Sequence, residues 1–190
     1  GFNVVKTLVL STSVLDMMAK TMVGLWQHSL ACARTCSIIA RHVDMEDPEE
    51  ISVTGLLHDL GKVWELVMDP SIEYTDDGRL IGHIPMETLF VDKKIGELEK
   101  FPAETRRQLL HILLSHHGEY GFGSPRRPKT PEALLVHMID NLDSKMAGMI
   151  EEDERLRKQV VDIRERLFGS FTCSEAASKT PQVEYLEGRS

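Results

Sequence analysis

The sequence has no long apolar run and few cysteines. Nothing in its 190 residues approaches the roughly 20 consecutive apolar residues of a membrane-spanning helix, and its first residues lack a basic segment followed by an apolar core. These absences predict a soluble, cytoplasmic protein without a membrane partner. The three cysteines are an odd number, and Cys32 and Cys36 lie four apart in a helical pattern, which argues against a disulfide framework. We interpret this pair as core residues rather than as metal ligands.

Basic charge is also scarce. The chain has 22 Lys and Arg against 30 Asp and Glu, a formal net charge of −8. Because phosphate binding draws on clustered cations, this balance argues against a large non-specific nucleic-acid surface. One small basic cluster follows the His116-His117 pair, and it consists of Arg126, Arg127 and Lys129. This cluster either lines the entrance to a substrate-binding site or belongs to a solvated loop.

The length and the 42% hydrophobic content suit one globular domain. We predict a single domain over 1–168, with N-terminal helices in 1–22, a core in 24–148 and a charged amphipathic helix in 151–168. The last helix is either a homodimer surface or a solvated helix, and 169–190 is a tail. The fold class is all-α, with a short β-hairpin near 72–82 around an Asp-Gly turn.

Three predicted helices carry polar residues at apolar faces. Pro48 and Pro131 mark the first turns of two of them, since proline suits that position. The helix over about 23–43 carries His28, the one after Pro48 delivers the His58-Asp59 pair near its end, and the one after Pro131 carries Asp140.

The His58-Asp59 pair is the strongest signal in the chain. It stands inside the apolar segment Gly55-Leu-Leu-His-Asp-Leu-Gly-Lys62, where two unpaired ionisable groups would cost several kcal/mol. A divalent metal suits both side chains. Further candidate ligands are His28, His83, His116, His117 and Asp140. A set of this kind can hold one or two ions inside a helical bundle.

We predict one ion on His28, His58, Asp59 and Asp140, with Asp59 placed to bridge to a second. The second ion would draw on His83, His116 and His117. The residue types do not distinguish manganese, iron, zinc or magnesium. His42, His111 and His137 are interpreted as structural, because a lone histidine on a helix is more often hydrogen-bonded than ligating.

This mixture of ligands suits phosphate-ester hydrolysis. Two divalent ions can activate water, neutralise phosphate oxygens and stabilise the leaving oxygen. Asp59 would then be catalytic, and Lys62, one turn further on, would be a cation aimed at the phosphate. The other interpretation of Lys62 is a surface lysine at a helix C-terminus, where the helix dipole favours it.

At these residues the sequence resembles the HD superfamily of metal-dependent phosphohydrolases, whose pattern is a histidine, a His-Asp pair and a distant aspartate. The resemblance spans about 24–148 and implies an all-helical HD-domain bundle. It assigns metal binding to His28, His58, Asp59 and Asp140, and phosphate contact to Lys62.

Two parts of the chain resemble different branches of this superfamily. Residues 72–148 resemble the HD domain of YhaM-type 3′-to-5′ exoribonucleases, through blocks such as Tyr74–Ile84, Leu114–Gly118 and Ile139–Lys145. Residues 1–60 resemble HDOD domains, which are regarded as signalling modules. His83 and the His116-His117 pair are also similar to HD-GYP phosphodiesterases, although the Gly-Tyr-Pro signature is absent from the sequence after them.

The sequence therefore predicts a metal-dependent phosphodiesterase or phosphohydrolase that acts on a nucleotide or a short RNA or DNA. The alternative is a non-catalytic, HDOD-like regulatory module that binds a partner or a nucleotide without turnover.

Overall fold

The computed structural model of the protein describes residues 13–68 and 71–151, which belong to one compact unit that extends to Asp153. The predicted helix over 151–168, apart from its first residue, and the tail over 169–190 lie outside the described residues, as does most of the predicted 1–22 segment. In chain order the described α-helices are α1 (Ser13–Thr21), α2 (Val23–His42), α3 (Pro48–Leu57), α4 (Lys62–Glu65), α5 (Asp76–Leu80), α6 (His83–Gly96), α7 (Ala103–Ser115) and α8 (Pro131–Glu151). A short 3₁₀ helix covers Tyr120–Phe122.

The predicted all-α class is confirmed, and the helix starts at Pro48 and Pro131 are correct. Helix α2 packs against both α3 and α8, and α6 packs against α7. Two hydrophobic clusters fill the interior between these helices. One includes Met18, Leu60 and Leu113, and the other includes Cys32 and Cys36, which are fully buried as free thiols. The cysteines therefore lie in the core, as the sequence indicated.

The β-hairpin exists, but its position differs from the prediction. Strand β1 (Leu66–Met68) pairs antiparallel with β2 (Ile72–Tyr74), so that Leu66 lies opposite Tyr74 and Val67 opposite Glu73. The turn therefore falls before Ile72 rather than at Asp77-Gly78.

The Asp-Gly segment is helical because Thr75 caps it. The Thr75 hydroxyl accepts a hydrogen bond from the Gly78 N–H at 2.9 Å, and Asp76 and Asp77 occupy the first turn of α5, where the helix dipole favours carboxylates. A side chain at Gly78 would overlap the Glu65 backbone. This glycine therefore serves a close approach between two segments and not a hairpin turn.

A second close approach positions the His58-Asp59 pair. Gly61 packs so tightly on the backbone of His83 that a Cβ atom there would overlap the His83 carbonyl group. The chain between α3 and α4 is thereby brought against the first residue of α6. Within the described ranges, no helix combines the length and apolar character needed to cross a bilayer.

Candidate metal centre

Helix ends bring the candidate ligands together. His58 follows the last residue of α3, His116 follows the last residue of α7, and His83 is the first residue of α6. His28 comes from the first half of α2 and Asp140 from the middle of α8. His58, Asp59 and His116 are 0–1% exposed. The structure thus gathers side chains from five segments in a buried interior.

The first donor group consists of His28, His58, Asp140 and the Oδ2 atom of Asp59. From His28 Nε2, the distances are 3.3 Å to His58 Nε2, 3.2 Å to Asp140 Oδ1 and 3.6 Å to Asp59 Oδ2. His58 Nε2 lies 3.5 Å from Asp59 Oδ2 and 3.6 Å from Asp140 Oδ1. Ligand atoms at about 2.0–2.1 Å from one tetrahedral ion are about 3.4 Å apart. These four atoms therefore have the spacing of one coordination shell.

The second donor group consists of His83, His116, His117 and the other oxygen of Asp59, Oδ1. His83 Nε2 and His116 Nε2 each lie 3.8 Å from this oxygen. One ligand atom from each of the four residues lies within 4.8 Å of all the others. The two oxygens of Asp59 therefore face two different groups of histidines, which is the arrangement of a bridging carboxylate.

Three buried atoms of the second group have no hydrogen-bond partner among the described residues. They are Asp59 Oδ1, His83 Nε2 and His116 Nε2. Buried polar atoms are normally paired, and leaving one unsatisfied costs about 1–3 kcal/mol. A divalent ion would satisfy all three at once, because both ring nitrogens lie 3.8 Å from the carboxylate oxygen. The donor set thus fits a metal ion.

Hydrogen bonds to main-chain carbonyls orient three of the rings. Each Nδ1 atom lies 2.8 Å from a carbonyl oxygen, in the pairs His58 with Gly55, His116 with Leu113, and His117 with Phe122. A carbonyl only accepts, so Nδ1 must donate, and Nε2 keeps the lone pair needed for a metal. The first two carbonyls lie three residues earlier, in the last turn of a helix, where carbonyls lack helical partners.

Carboxylates orient the other two rings. His83 donates to Glu65 Oε1 both from Nδ1, at 3.0 Å, and from its main-chain N–H, at 3.1 Å. His28 Nδ1 lies 2.6 Å from Asp143 Oδ2. A carboxylate behind a histidine fixes the ring and increases the basicity of the nitrogen that faces the metal.

Electrostatics holds the two carboxylates ionised. Burial favours the neutral acid at Asp59 and Asp140, but hydrogen bonds and electrostatic attraction from neighbouring groups outweigh it and hold both pKa values well below the usual range. For Asp59 the opposing groups include His58 and the Lys62 ammonium group, and for Asp140 they are mainly the hydrogen bonds from His28 and His58.

His28 differs in charge from His83 and His116. Burial lowers the pKa of His83 and lowers that of His116 strongly, so these rings are neutral, as metal ligands must be. Burial also opposes protonation of His28, but its hydrogen bonds to Asp140 and Asp143 prevail and raise its pKa to about 12. Without an ion, a proton on His28 therefore balances the first group.

Lys62 begins α4 and is paired with Asp59, with its Nζ atom 2.7 Å from Asp59 Oδ2. Its predicted contact with the phosphate stays a prediction. Burial opposes its charge, but Asp59 prevails and raises the pKa of Lys62. The ammonium group lies beside the carboxylate that the two donor groups share.

Sequence reasoning missed three acidic residues around the site. Glu65 and Asp143 hold His83 and His28, as described above. Glu87 is fully buried, accepts from the Gly61 N–H at 3.1 Å and lies 3.7 Å from His116 Nδ1. Burial, reinforced by the charge of Asp59, raises the pKa of Glu87 well above its usual value. Spacing offered a signal for two of them, since Asp143 is one turn after Asp140 and Glu87 one turn after His83.

The three cations of the predicted basic cluster lie outside both donor groups. Arg126, Arg127 and Lys129 are exposed on the segment that follows the 3₁₀ helix. The Arg127 guanidinium pairs with Glu119 at 2.7 Å, and the Lys129 main-chain N–H donates to His111 Nε2 at 3.0 Å. Their role in substrate binding stays a prediction.

The chain is similar in sequence to known proteins. The HDOD domain family model matches residues 1–73. The chain is 39% identical over 134 residues to the 3′-5′ exoribonuclease YhaM of Bacillus velezensis strain FZB42, and 38% identical over 134 residues to YhaM of Bacillus subtilis strain 168. These matches cover 70% of this chain and 42% of each relative, so the chain spans less than half the length of the curated relatives.

A solved structure supports the fold. The crystal structure of the HD domain of the Listeria monocytogenes phosphodiesterase PgpH matches with a TM-score of 0.53 and 14% sequence identity, covering 88% of this chain and 93% of that chain. Taken with the HDOD and YhaM matches and the buried His-Asp cluster, this similarity shows that the chain resembles the HD-domain superfamily, and that its helical fold is that of an HD domain.

Proposed function

We propose that the protein is a metal-dependent phosphohydrolase of the phosphodiesterase type, which hydrolyses a phosphate ester of a nucleotide or a short oligonucleotide. The observation that carries the proposal is the set of three buried, unsatisfied atoms, Asp59 Oδ1, His83 Nε2 and His116 Nε2, beside a complete first donor group. A structural core would have no reason to retain such a costly arrangement.

Bound divalent ions supply Lewis acidity toward phosphate oxygens and a water nucleophile that is available at neutral pH. The protein's own residues supply the rest. Asp59 holds the two donor groups at a fixed separation through its two oxygens. Glu65 and Asp143 keep the rings of His83 and His28 aimed inward.

Lys62 has the position to stabilise charge on the phosphate. Its ammonium group contacts Asp59 Oδ2 in this structure, and its side chain is 30% exposed. A phosphate that reaches the shared carboxylate would find a cation already oriented and partly desolvated, where an electrostatic contact is stronger than in water. Asp59 and Lys62 are therefore the proposed catalytic residues.

The substrate class is supported by the relatives. YhaM carries the name of a 3′-5′ exoribonuclease, and PgpH is titled a phosphodiesterase. Both names describe hydrolysis of a phosphodiester. We extend this chemistry to a nucleotide or a short oligonucleotide here, because the two donor groups have the residue types and the spacing to hold the divalent ions that such hydrolysis uses.

A non-catalytic regulatory module is the second candidate, and the HDOD match over residues 1–73 favours it. A module that only bound a partner would not need buried, neutral imidazoles whose Nε2 atoms lack hydrogen-bond partners, placed beside an ionised carboxylate. The donor set therefore favours hydrolysis. Metal content together with turnover distinguishes the two candidates directly.

The test is elemental mass spectrometry of protein purified without chelator, with hydrolysis of bis-p-nitrophenyl phosphate assayed on the same sample with and without manganese. About two ions per chain and metal-dependent turnover are expected. His42→Ala is the matched control, since His42 is exposed at the end of α2, and it should keep both properties. Absence of metal and of turnover after reconstitution would favour the regulatory module.

A further inference from the structure

The segment that follows His117 exposes two aromatic rings. Tyr120 is 59% exposed and Phe122 is 71% exposed, on the 3₁₀ helix that lies between Gly118 and Gly123. Both glycines have positive φ values, 80° and 81°, which fix the two ends of the turn. We call Tyr120–Phe122 the aromatic lip.

The aromatic lip is tied directly to a candidate metal ligand. The main-chain carbonyl of Phe122 accepts from His117 Nδ1 at 2.8 Å, and the ring of His117 lies 5.0 Å, centre to centre, from that of His83. The turn that orients one ligand of the second donor group therefore also presents the Phe122 side chain. The lip is therefore joined to the second donor group through His117.

Contacts on one side of the lip hold it in place. The Arg127 guanidinium lies over the Tyr120 ring at 5.2 Å from its centre, and it also pairs with Glu119 at 2.7 Å. The Phe122 ring remains open to solvent, so the lip presents a flat apolar surface that does not have to be assembled when a ligand arrives.

The charge of this segment differs from that of the whole chain. Between Gly118 and Lys129 stand three cations, Arg126, Arg127 and Lys129, against a single carboxylate, Glu119. The complete chain carries a formal net charge of −8. An exposed aromatic surface with nearby cations on an otherwise acidic protein is complementary to a ligand that is both aromatic and anionic.

We propose that the aromatic lip binds the nucleobase next to the phosphate held at the metal centre, with the base stacked on Phe122. The base of a nucleotide is one sugar away from its phosphate, which matches the adjacency of Phe122 and His117. This inference rests on the proposed function and narrows its substrate class: the enzyme selects nucleotide esters over phosphate esters that lack a base.

Two chromogenic substrates with the same leaving group test it, thymidine 5′-(p-nitrophenyl phosphate) and methyl p-nitrophenyl phosphate. The wild-type enzyme should prefer the thymidine ester. In Phe122→Ala the ratio of the two kcat/KM values should fall about tenfold, mainly through KM, because stacking on one aromatic ring is lost. Phe122→Trp should restore the ratio, and Phe122→Leu, apolar but not aromatic, should not.

Matched measurements separate stacking from a structural role. Phe122→Ala retains the main-chain carbonyl that orients His117, so its metal content should equal that of the wild type. Leu89→Ala removes an equally exposed apolar side chain, 68% exposed on α6, and should leave both the ratio and the basal activity unchanged. A ratio unchanged in Phe122→Ala, with both esters hydrolysed, would overturn the inference and leave the proposed function intact.

If neither ester is hydrolysed, the proposed function has failed, and binding still tests the lip. Calorimetry on the metal-loaded protein would compare thymidine 5′-monophosphate with methyl phosphate, which carries the same phosphate without a base. Tighter binding of the nucleotide by about tenfold, lost in Phe122→Ala, is the expected result. Equal affinities for the two compounds would overturn the inference.

Discussion

The two donor groups share Asp59, but they are satisfied in different ways without an ion. In the first group, His28, His58 and Asp140 contact one another at 3.2–3.6 Å, and a proton on His28 balances the carboxylates. In the second group, the rings of His83 and His116 are neutral and their Nε2 atoms have no partner among the described residues.

This difference follows from the number of carboxylate oxygens in each group. The first group has two, from Asp59 and Asp140, with Asp143 behind His28, so a proton can take the place of a metal charge. The second group has a single oxygen between its three imidazoles, Asp59 Oδ1, because Glu65 and Glu87 lie at the Nδ1 atoms of His83 and His116 instead. Among the described residues, the inward-facing atoms of the second group therefore lack partners, whereas those of the first group contact one another.

The largest effect is expected where the groups join. Asp59→Ala removes the carboxylate that serves both groups, and we expect loss of both ions together with loss of turnover to background. Elemental mass spectrometry and the bis-p-nitrophenyl phosphate assay measure the two properties on one sample. Far-ultraviolet circular dichroism verifies that the helices remain. Activity retained in metal-free Asp59→Ala would defeat the proposed mechanism.

Variants that each disrupt one donor group should show whether the two ion sites are independent. His116→Ala is expected to lose the ion of the second group and keep that of the first, whereas Asp140→Ala should do the opposite. Each variant should therefore bind about one ion per chain, with turnover reduced by at least about a hundredfold. The measurement is metal stoichiometry by titration, and loss of both ions in both variants would show that the groups are not separable.

Lys62→Ala tests a residue that touches the shared carboxylate without joining either group. Metal content should be retained, while kcat/KM falls by about a hundredfold because one oriented cation is lost from the phosphate. Lys94→Ala is a suitable control, since Lys94 lies on α6 away from both donor groups and pairs with Glu97 at 2.8 Å. Loss of metal in Lys62→Ala would assign the residue a structural role instead.

The smallest effect is expected from the carboxylates that orient the histidine rings through hydrogen bonds to Nδ1. Glu65→Ala removes the carboxylate that holds His83, and the metal affinity of the second group should fall by about 10- to 100-fold. The affinity of the first group should hardly change, which titration with a competing chelator can measure. An equal loss at both groups would mean that Glu65 supports the fold rather than one ring.

The sequence predicted the helices that carry the ligands because proline starts and apolar spacing are local signals, as at Pro48 and Pro131. The seven candidate ligands could also be selected, and the structure brings all of them into the two groups, although their role as ligands stays a prediction. The turn of the hairpin was misplaced because Asp77-Gly78 also suits a capped helix, and the Thr75 cap decided the outcome.

The supporting residues could not be found in the same way. Glu65 is eighteen residues from His83, and the pairing of β1 with β2 and the close packing at Gly61 and Gly78 bring the two together. The aromatic lip could likewise not be identified from the sequence alone, because the hydrogen bond that links Phe122 to His117 becomes visible only in the fold. Contacts between distant segments, unlike helix starts, require the fold.

The most direct test of the bridging role of Asp59 is an anomalous difference map from a crystal of the protein grown with manganese. Two peaks are expected, one beside Asp59 Oδ2 among His28, His58 and Asp140, and one beside Asp59 Oδ1 among His83, His116 and His117. Absence of any peak at Asp59, or a single ion that contacts neither donor group, would contradict the account.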